Sequence, residues 1–251
     1  MKSLKAIRGV DLMKIMVLMQ FVFLYSAITL SFSLGAQERL LVSRIESDFN
    51  EDYMERLLTE AYQRIGVDVE YVQYPAKRAL YTSNLGKTDG EMARIKGVDN
   101  EFQNLLMTDV PISSIDIVVF TKNKNIRVDG WQSLKPYSIA VPRGIRVIEK
   151  GTTGMEVSVF NTTEKILKLV SMGRYDVAIL TRIDGLGYVK KLNITNLTIL
   201  EPPVAKVDLY HYLHKKHENL LPKINSSLIN LKESGRMKDI RDQFLTELKL
   251  D

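Results

Sequence analysis

Hydrophobic and polar positions predict a strand, a helix and a second strand between residues 67 and 95. Apolar residues alternate with polar ones from 67 to 71, which is the period-two signature of a half-buried strand. Pro75 follows and suits the first turn of a helix, because its missing N–H has no partner there. Gly86 is placed to end this helix in a left-handed conformation. The short run from 91 to 95 then predicts a parallel strand.

The same plan recurs from residue 157 to residue 183. Both copies share a leucine, five intervening residues, a glycine, a basic residue, any residue and an aspartate, at one constant offset: Leu80, Gly86, Lys87 and Asp89, then Leu167, Gly173, Arg174 and Asp176. An arginine follows in each copy, Arg94 and then Arg182, although these two miss strict equivalence by one position. The pattern is compatible with two similar α/β lobes that face each other, and also with the helix–glycine–strand units common to many α/β proteins.

Further periodic segments complete an α/β pattern. A strand is predicted at 39–45, and the helix after it has a core face at helical spacing, formed by Tyr53, Leu57, Ala61 and Ile65. Residues 115–121 are strongly apolar and predict a buried strand. The polar, turn-rich segment 122–130 is the predicted crossing between lobes. An apolar-rich strand predicted at 207–213 leads back to the first lobe, and a helical tail follows.

The N-terminal segment has the pattern of a secretory signal peptide. Lys14 precedes a mostly apolar run, residues 15–34, and small residues follow at Gly35 and Ala36. A basic region, an apolar region and a small-residue cleavage site are the three parts of such a peptide. We therefore expect residues 1–36 to be removed near Ala36. The alternative is an uncleaved membrane anchor, because the apolar run is long enough to span a bilayer.

Charge and cysteine content narrow the function classes. The formal net charge is +5, but residues 1–36 contain four basic residues and one acidic residue, so the mature chain carries +2. A pI of 9.2 is therefore no argument for nucleic-acid binding, and no dense basic cluster supports it. The chain has no cysteine, which excludes disulfides, thiolate metal sites, a cysteine nucleophile and a lipid-modified cysteine. A soluble protein outside the cytoplasm is expected.

Five segments, in this order and spacing, carry a family resemblance: AYQRIGVDVEYVQYPAKRAL, LGKTDGEMARI, WQSLKPYSIAVPRG, LKLVSMGRYDVAIL and INSSLINLKESGRMKDI. Together they resemble the bacterial extracellular solute-binding proteins of family 3, the periplasmic amino-acid-binding type. The resemblance implies an α/β, two-lobed fold of the type II periplasmic-binding-protein class, in which each lobe is a mixed sheet flanked by helices and two hinge crossings join the lobes. Lobe 1 would comprise residues 37–122 and 206–251, and lobe 2 residues 123–205.

Two positions depart from what the resemblance implies for the ligand site. Amino-acid binders of this family carry an arginine for the ligand carboxylate a few residues after the strand, where this chain reads KGVDNEF without an arginine. They also carry an aspartate for the ligand amino group just past the strand of lobe 2. Thr181 and Arg182 hold that place here, with Asp184 slightly beyond. The fold does not by itself imply a transport role.

Ligands of open α/β sheets bind beyond the carboxyl ends of the strands. This rule selects six candidate substrate-binding residues: Tyr74, Glu91, Arg94, Arg143, Arg182 and Asp184. Arginine suits a carboxylate or phosphate, because its planar fork donates two parallel hydrogen bonds. Opposed arginines from two lobes would favour an anionic ligand. The alternative is that each arginine pairs with a nearby carboxylate of the protein.

No cofactor or metal site is predicted. The three histidines lie together in the sequence HYLHKKH, as His211, His214 and His217, which raises the possibility of a metal site. His211 lies in a predicted strand and the other two at or beyond its end, so a shared face is not expected. The glycines at 185 and 187 are too few for a dinucleotide fingerprint.

The favoured hypothesis is a periplasmic solute-binding protein, not an enzyme, that captures a small anionic solute, amino-acid-like or a carboxylate, by hinge closure. Its partners would be this ligand and an ABC-type transporter permease or a sensor in the inner membrane; no nucleic-acid partner is predicted, and a monomer is expected. One alternative is an enzyme similar to the periplasmic cyclohexadienyl dehydratases, with Glu91 as general acid. Another is a signalling partner whose cleft is blocked by side chains.

Overall fold

The computed structural model describes residues 39–46 and 49–248, so the signal peptide predicted at 1–36 lies outside the described residues. In the described part the strands are β1 (Arg39–Ile45), β2 (Asp68–Tyr74), β3 (Gly90–Ile95), β4 (Leu105–Met107), β5 (Ser113–Thr121), β6 (Ile139–Pro142), β7 (Val157–Phe160), β8 (Val177–Thr181) and β9 (Thr198–His214). The helices there are α1 (Asn50–Gln63), α2 (Ala76–Asn84), α3 (Arg146–Gly151), α4 (Thr163–Ser171), α5 (Arg182–Lys191), α6 (Leu221–Glu233) and α7 (Arg236–Leu248). None of these described helices has the length and apolar content needed to cross a membrane.

All nine strands belong to one mixed sheet in the order β2-β1-β3-β9-β5-β8-β6-β7, with β4 paired to β9. At one end β1 pairs in parallel with β2 and β3, and at the other end β6 pairs in parallel with β7 and β8. Strand β9 is antiparallel to β3, and β5 is antiparallel to β8. Each half of the sheet therefore has three parallel strands and one antiparallel neighbour, which is the two-lobed α/β architecture expected from the sequence.

The two sequence copies fold alike. Helices α2 and α4 are each followed by a glycine at positive φ, Gly86 at 69° and Gly173 at 73°, where a side chain would be strained. The aspartates of the repeat, Asp89 and Asp176, then hold the start of a neighbouring strand. Asp89 bonds to the backbone N–H of Leu41, 2.6 Å from Oδ2, and Asp176 bonds in the same way to the N–H of Ser138 at 2.9 Å. The repeat is thus structural, with one backbone plan used in both halves.

Strands β5 and β9 connect the two halves. Residues 113–117 of β5 pair with residues 205–209 of β9, and residues 119–121 pair with residues 198–200. The register shifts between Ile117 and Val119. These two strands are the hinge crossings, while the residue boundaries of the lobes at 122/123 and 205/206 stay a prediction.

Apolar packing fixes each half around the sheet. The predicted core face of α1 is buried at Tyr53, Leu57 and Ala61, and Ile65 packs against the same cluster. In the other half, α4 buries Ile166, Leu167 and Val170. Burying such side chains stabilises the fold by roughly 25 cal/mol per Å² of apolar surface, so the strand ends are held on a rigid base.

Candidate functional site

A cleft of about 750 Å³ lies between the two halves of the sheet. Its lining includes residues at or just after the carboxyl ends of β1, β2, β3, β6, β7 and β8, which is where ligands bind in open α/β sheets. The basic residues of the lining are Lys77, Arg94, Arg143 and Arg146, and the acidic residues are Glu46, Glu51 and Asp184. The cleft therefore presents both signs of charge to a ligand.

The structure brings three of the six candidate residues into this lining: Arg94, Arg143 and Asp184. Tyr74, Glu91 and Arg182 lie outside it. Tyr74 is half-buried at the end of β2 and stacks beneath the Arg78 guanidinium, whose central carbon is 4.9 Å from the ring centroid. Ligand contact by any of the six stays a prediction.

Arg94 and Glu91 form a buried ion pair on β3. The Nε of Arg94 lies 2.7 Å and its Nη2 2.6 Å from Oε1 of Glu91, and Nη2 also donates to the carbonyl of Ala76 at 2.8 Å. Burial raises the pKa of Glu91 to about 7, against the opposing effects of Arg94 and of the Ser83 hydroxyl. Arg94 thus lines the cleft while Glu91, on its buried side, compensates much of its charge.

A chain of buried hydroxyls supports this pair. The Ser83 Oγ lies 3.2 Å from Oε2 of Glu91 and 3.1 Å from the Thr88 hydroxyl. Thr88 in turn lies 2.8 Å from the hydroxyl of Ser43. The chain links α2, the turn after it and β1, so three parts of the fold fix the orientation of Glu91 and hence of Arg94.

Arg143 follows β6 and is held differently. Its Nε donates to Oδ1 of Asn161 at 2.9 Å, and both residues line the cleft. Among the described residues no carboxylate forms an ion pair with Arg143. Just before α3, the Gly144 N–H donates to Oε1 of Glu149 at 2.9 Å, so a carboxylate of the protein itself occupies this donor. The free charge in this corner of the cleft is therefore that of Arg143.

Two candidates on α5 have protein partners. Asp184 accepts a hydrogen bond from the Thr181 hydroxyl at 2.6 Å, and both residues line the cleft. Arg182 pairs with Asp116 at 3.1 Å and with Glu201 at 2.8 Å. Arg182 is therefore paired with carboxylates of the protein, as the alternative interpretation of the arginines states.

Glu51 is a cleft residue that sequence reasoning missed. It lies in the first turn of α1, lines the cleft, and is 5% exposed. Burial raises its pKa to about 8; Arg94 and Arg44 oppose this rise, and Glu91 and Asp184 add to it. Its only signal in the sequence is an acidic residue just after the first strand, which reads equally as an ordinary charge at a helix N-terminus.

Side chains of the two halves meet at both sides of the cleft. Arg146 on α3 forms an ion pair with Glu101, at 2.5 Å. A Cβ built on Gly144 would lie 2.9 Å from the Cβ of Ala76 at the start of α2. Phe49 lies edge-on to Tyr188 of α5, with ring centroids 5.3 Å apart. The halves are therefore closed on each other around the cleft.

The three histidines do not converge. His211 is buried, with Nε2 2.7 Å from the Tyr62 hydroxyl, and burial lowers its pKa to about 4. His217 bonds to Asp89 at 2.7 Å. Within the described residues there is no group of three or more side chains placed to hold a metal ion.

Comparison with known proteins agrees with this architecture. The sequence profile of the bacterial extracellular solute-binding proteins, family 3, matches residues 51–247. The chain belongs to this family. An uncharacterized protein of Shewanella oneidensis is 25% identical over 207 residues, which cover 78% of this chain and 76% of that protein.

Solved structures share the fold of this solute-binding family member at low sequence identity. A histidine kinase sensor domain with similarity to periplasmic binding proteins superimposes with a TM-score of 0.69 at 18% identity, covering 83% of this chain and 97% of the other. The amino acid ABC transporter substrate-binding protein AbpA of Streptococcus pneumoniae, bound to L-arginine, gives a TM-score of 0.68 at 14% identity, covering 86% and 98%. At these identities the solved structures show the shared fold, and membership of the solute-binding family supports a ligand-binding role for this chain.

Proposed function

We propose that this protein captures a small, carboxylate-bearing, amino-acid-like solute in the cleft and closes around it. Arg143 carries the proposal, because its guanidinium lines the cleft with only the Asn161 amide as side-chain partner in the described part of the chain. A guanidinium in such a position recognises a carboxylate through charge and paired hydrogen bonds. Arg94 and Asp184 are the other proposed ligand contacts.

Hinge closure is the proposed mechanism of capture. The halves are joined through β5 and β9, with the lobe boundaries proposed near 122/123 and 205/206. Ligand contacts from both halves favour the closed state only to the extent that they are lost on opening. Arg94 lies in one half and Arg143 in the other, so a ligand that contacts both would shift the equilibrium toward closure.

We further propose that the mature protein is a periplasmic monomer, released by cleavage of the signal peptide near Ala36, whose closed form is read by an ABC-type permease or by a sensor. The family's extracellular members and the two structural neighbours, a transporter component and a sensor domain, support this setting. An enzymatic role is not favoured, because Glu91, the candidate general acid, is fully buried behind Arg94 and outside the cleft lining.

A thermal-shift screen of carboxylates and amino acids tests the proposal. A ligand that binds only the folded state raises the unfolding midpoint in a concentration-dependent way. We expect a saturable rise for at least one compound, and loss of that rise in Arg143→Ala. Arg174→Ala is the matched control, since this exposed arginine lies outside the cleft and should leave the rise unchanged. Absence of any saturable shift across the screen would remove the solute-capture proposal in favour of a signalling partner.

A further inference from the structure

Glu51 is a buried acid at the wall of the cleft. The residue lines the cleft and is 5% exposed, yet within residues 39–46 and 49–248 its carboxyl makes no hydrogen bond or ion pair. A buried carboxylate in this state is strongly disfavoured, and the group responds by remaining protonated. The free protein therefore holds a neutral acid at the cleft wall, with oxygen atoms available to a ligand.

The charged groups around Glu51 do not neutralise it. Arg44 on β1 pairs with Asp52 at 3.1 Å and with Glu55 at 3.0 Å, and Arg94 on β3 is bonded to Glu91. The acids that face Glu51 are Glu91 itself and, from α5, Asp184. Among these charges Arg94 has the largest effect on the pKa of Glu51 and lowers it, whereas Glu91 and Asp184 raise it. Both arginines are bonded to other carboxyls, so a ligand cation would meet a carboxyl to which neither arginine is bonded.

We propose that Glu51 binds a cationic nitrogen group of the solute, an ammonium or a guanidinium, and gives up its proton to the solvent when it does so. This rests on the proposed function and names the solute more closely: it is a zwitterion or a cation, with a carboxylate at Arg143. The O–H bond of the Glu51 carboxyl breaks, the proton leaves to water, and the resulting carboxylate accepts hydrogen bonds from the N–H groups of the ligand. One proton is released per ligand bound.

Because ligand binding is coupled to release of the Glu51 proton, the affinity depends on pH. Because the carboxyl must ionise on binding, the apparent affinity rises about tenfold for each pH unit up to the pKa of about 8 and becomes constant above it. Glu91 is bonded to Arg94 and also has a raised pKa, of about 7. The proton of Glu51 is therefore identified as the part of the proton release that is lost in Glu51→Gln, since Glu91 is present in both proteins.

Matched ligand pairs test the inference. Each pair differs only in its nitrogen groups: L-glutamate with glutarate, L-phenylalanine with hydrocinnamate, and L-lysine with hexanoate. Calorimetric titration in phosphate and in Tris buffer at pH 7 measures affinity and proton release together. We expect the amine-bearing member of a pair to bind at least about tenfold more tightly and to release close to one proton. In Glu51→Gln we expect that advantage and the proton release to be lost, whereas Asp52→Asn on the same helix turn retains both.

Each outcome of these titrations supports or overturns the role of Glu51. Equal affinity for both members of every binding pair, or an unchanged affinity and proton count in Glu51→Gln, overturns the role of Glu51 while the capture of carboxylates stands. Failure of all six compounds to bind overturns the inference together with the proposed function. Glutamine replaces a neutral carboxyl by a neutral amide of the same shape, and a circular-dichroism melt at pH 6 checks that the variant is folded.

Discussion

The carboxyl of Glu51 ties the stability of the fold to pH. Its pKa is about 8 in the folded chain against an ordinary value of 4.5, so the folded state binds the extra proton between these values. The contribution of this group to stability is therefore full below about pH 4.5 and falls as pH rises toward 8. We expect Glu51→Gln to remove this fall, so that its stability relative to the wild type rises by roughly 3 kcal/mol between pH 5.5 and pH 8.5.

Urea unfolding of both proteins at pH 5.5 and pH 8.5 measures this difference. The comparison isolates Glu51, because Glu91, which also has a raised pKa, is present in both. An identical loss of stability with pH in the two proteins would show that Glu51 is not held neutral by burial.

Ser83 tests the hydroxyl chain behind Arg94. Its Oγ lies within hydrogen-bond distance of Glu91 and of the Ala79 and Gly90 carbonyls. We expect Ser83→Ala to lower the free energy of unfolding by about 1–2 kcal/mol, since it leaves buried acceptors without a donor. Ser226 makes the same helix-backbone bond at an exposed site, so Ser226→Ala should stay within about 0.5 kcal/mol. If Ser83→Ala and Ser226→Ala lowered the free energy of unfolding equally in urea, the buried hydroxyls behind Arg94 would have no special structural role.

The sequence locates some of the cleft residues, but it does not show which partners such residues bind in the folded protein. Arg94, Arg143 and Asp184 lie near or after the carboxyl ends of strands, which local periodicity reveals, and all three line the cleft. The pairing of Arg182 with Asp116 and Glu201 depends on residues distant in the chain. Glu51 is likewise buried close to Arg94 and Asp184, which are distant from it in the chain. Charge compensation is a tertiary property, so periodicity could not supply it.

At the scale of elements, Gly144, two residues before α3, lies where the two halves come close together. Gly144 has φ 81° and its added Cβ would lie 2.9 Å from that of Ala76. Gly154 has φ 78° with nothing within 4 Å. Alanine at either position should cost roughly 1 kcal/mol for the backbone strain. Only Gly144→Ala should also weaken ligand binding, because only it pushes the halves apart.

Isothermal titration of a ligand identified by the thermal-shift screen, together with urea unfolding, separates the two effects. Similar stability losses with a weaker affinity in Gly144→Ala alone are expected. An affinity loss of equal size in Gly154→Ala would assign the effect to backbone strain rather than to the contact between halves.

Helices and strands were predictable from the sequence where specific residues, such as glycine or aspartate, stand at their ends. The helices of the repeat are followed by Gly86 and Gly173, and each copy carries an aspartate at the start of its second strand; both features are visible in the sequence as a constant offset. The union of all strands in one sheet was not visible. It depends on the pairing of β5 with β9, whose residues lie far apart in the chain, and on a register shift that leaves no mark in the hydrophobic pattern.

For the whole molecule, the exposed ion pair between Arg146 and Glu101 joins the halves directly. Exposed pairs contribute little and are screened by salt. We expect Glu101→Gln to weaken ligand binding by less than about fivefold at low salt and not at all at high salt. Small-angle scattering of the unliganded variant should show a slightly larger radius of gyration than the wild type.

Glu164→Gln is the matched control, since Glu164 forms an exposed ion pair with Lys168 inside α4. It should leave both the affinity and the radius of gyration unchanged at any salt concentration. A salt-independent loss in Glu101→Gln would mean that the residue acts through something other than its charge.

The shared ribbon of β5 and β9 has a mechanical consequence. The two strands are hydrogen-bonded to each other on both sides of the register shift, so neither can slide or rotate without the other. Such a ribbon resists shear and twist along its length and yields most easily at the shift, where the ladder is interrupted. In the proposed hinge closure, the two halves would therefore turn about this one interruption. The free energy of ligand binding would then go into a single motion, which is what the proposed permease or sensor would need in order to recognise the closed form.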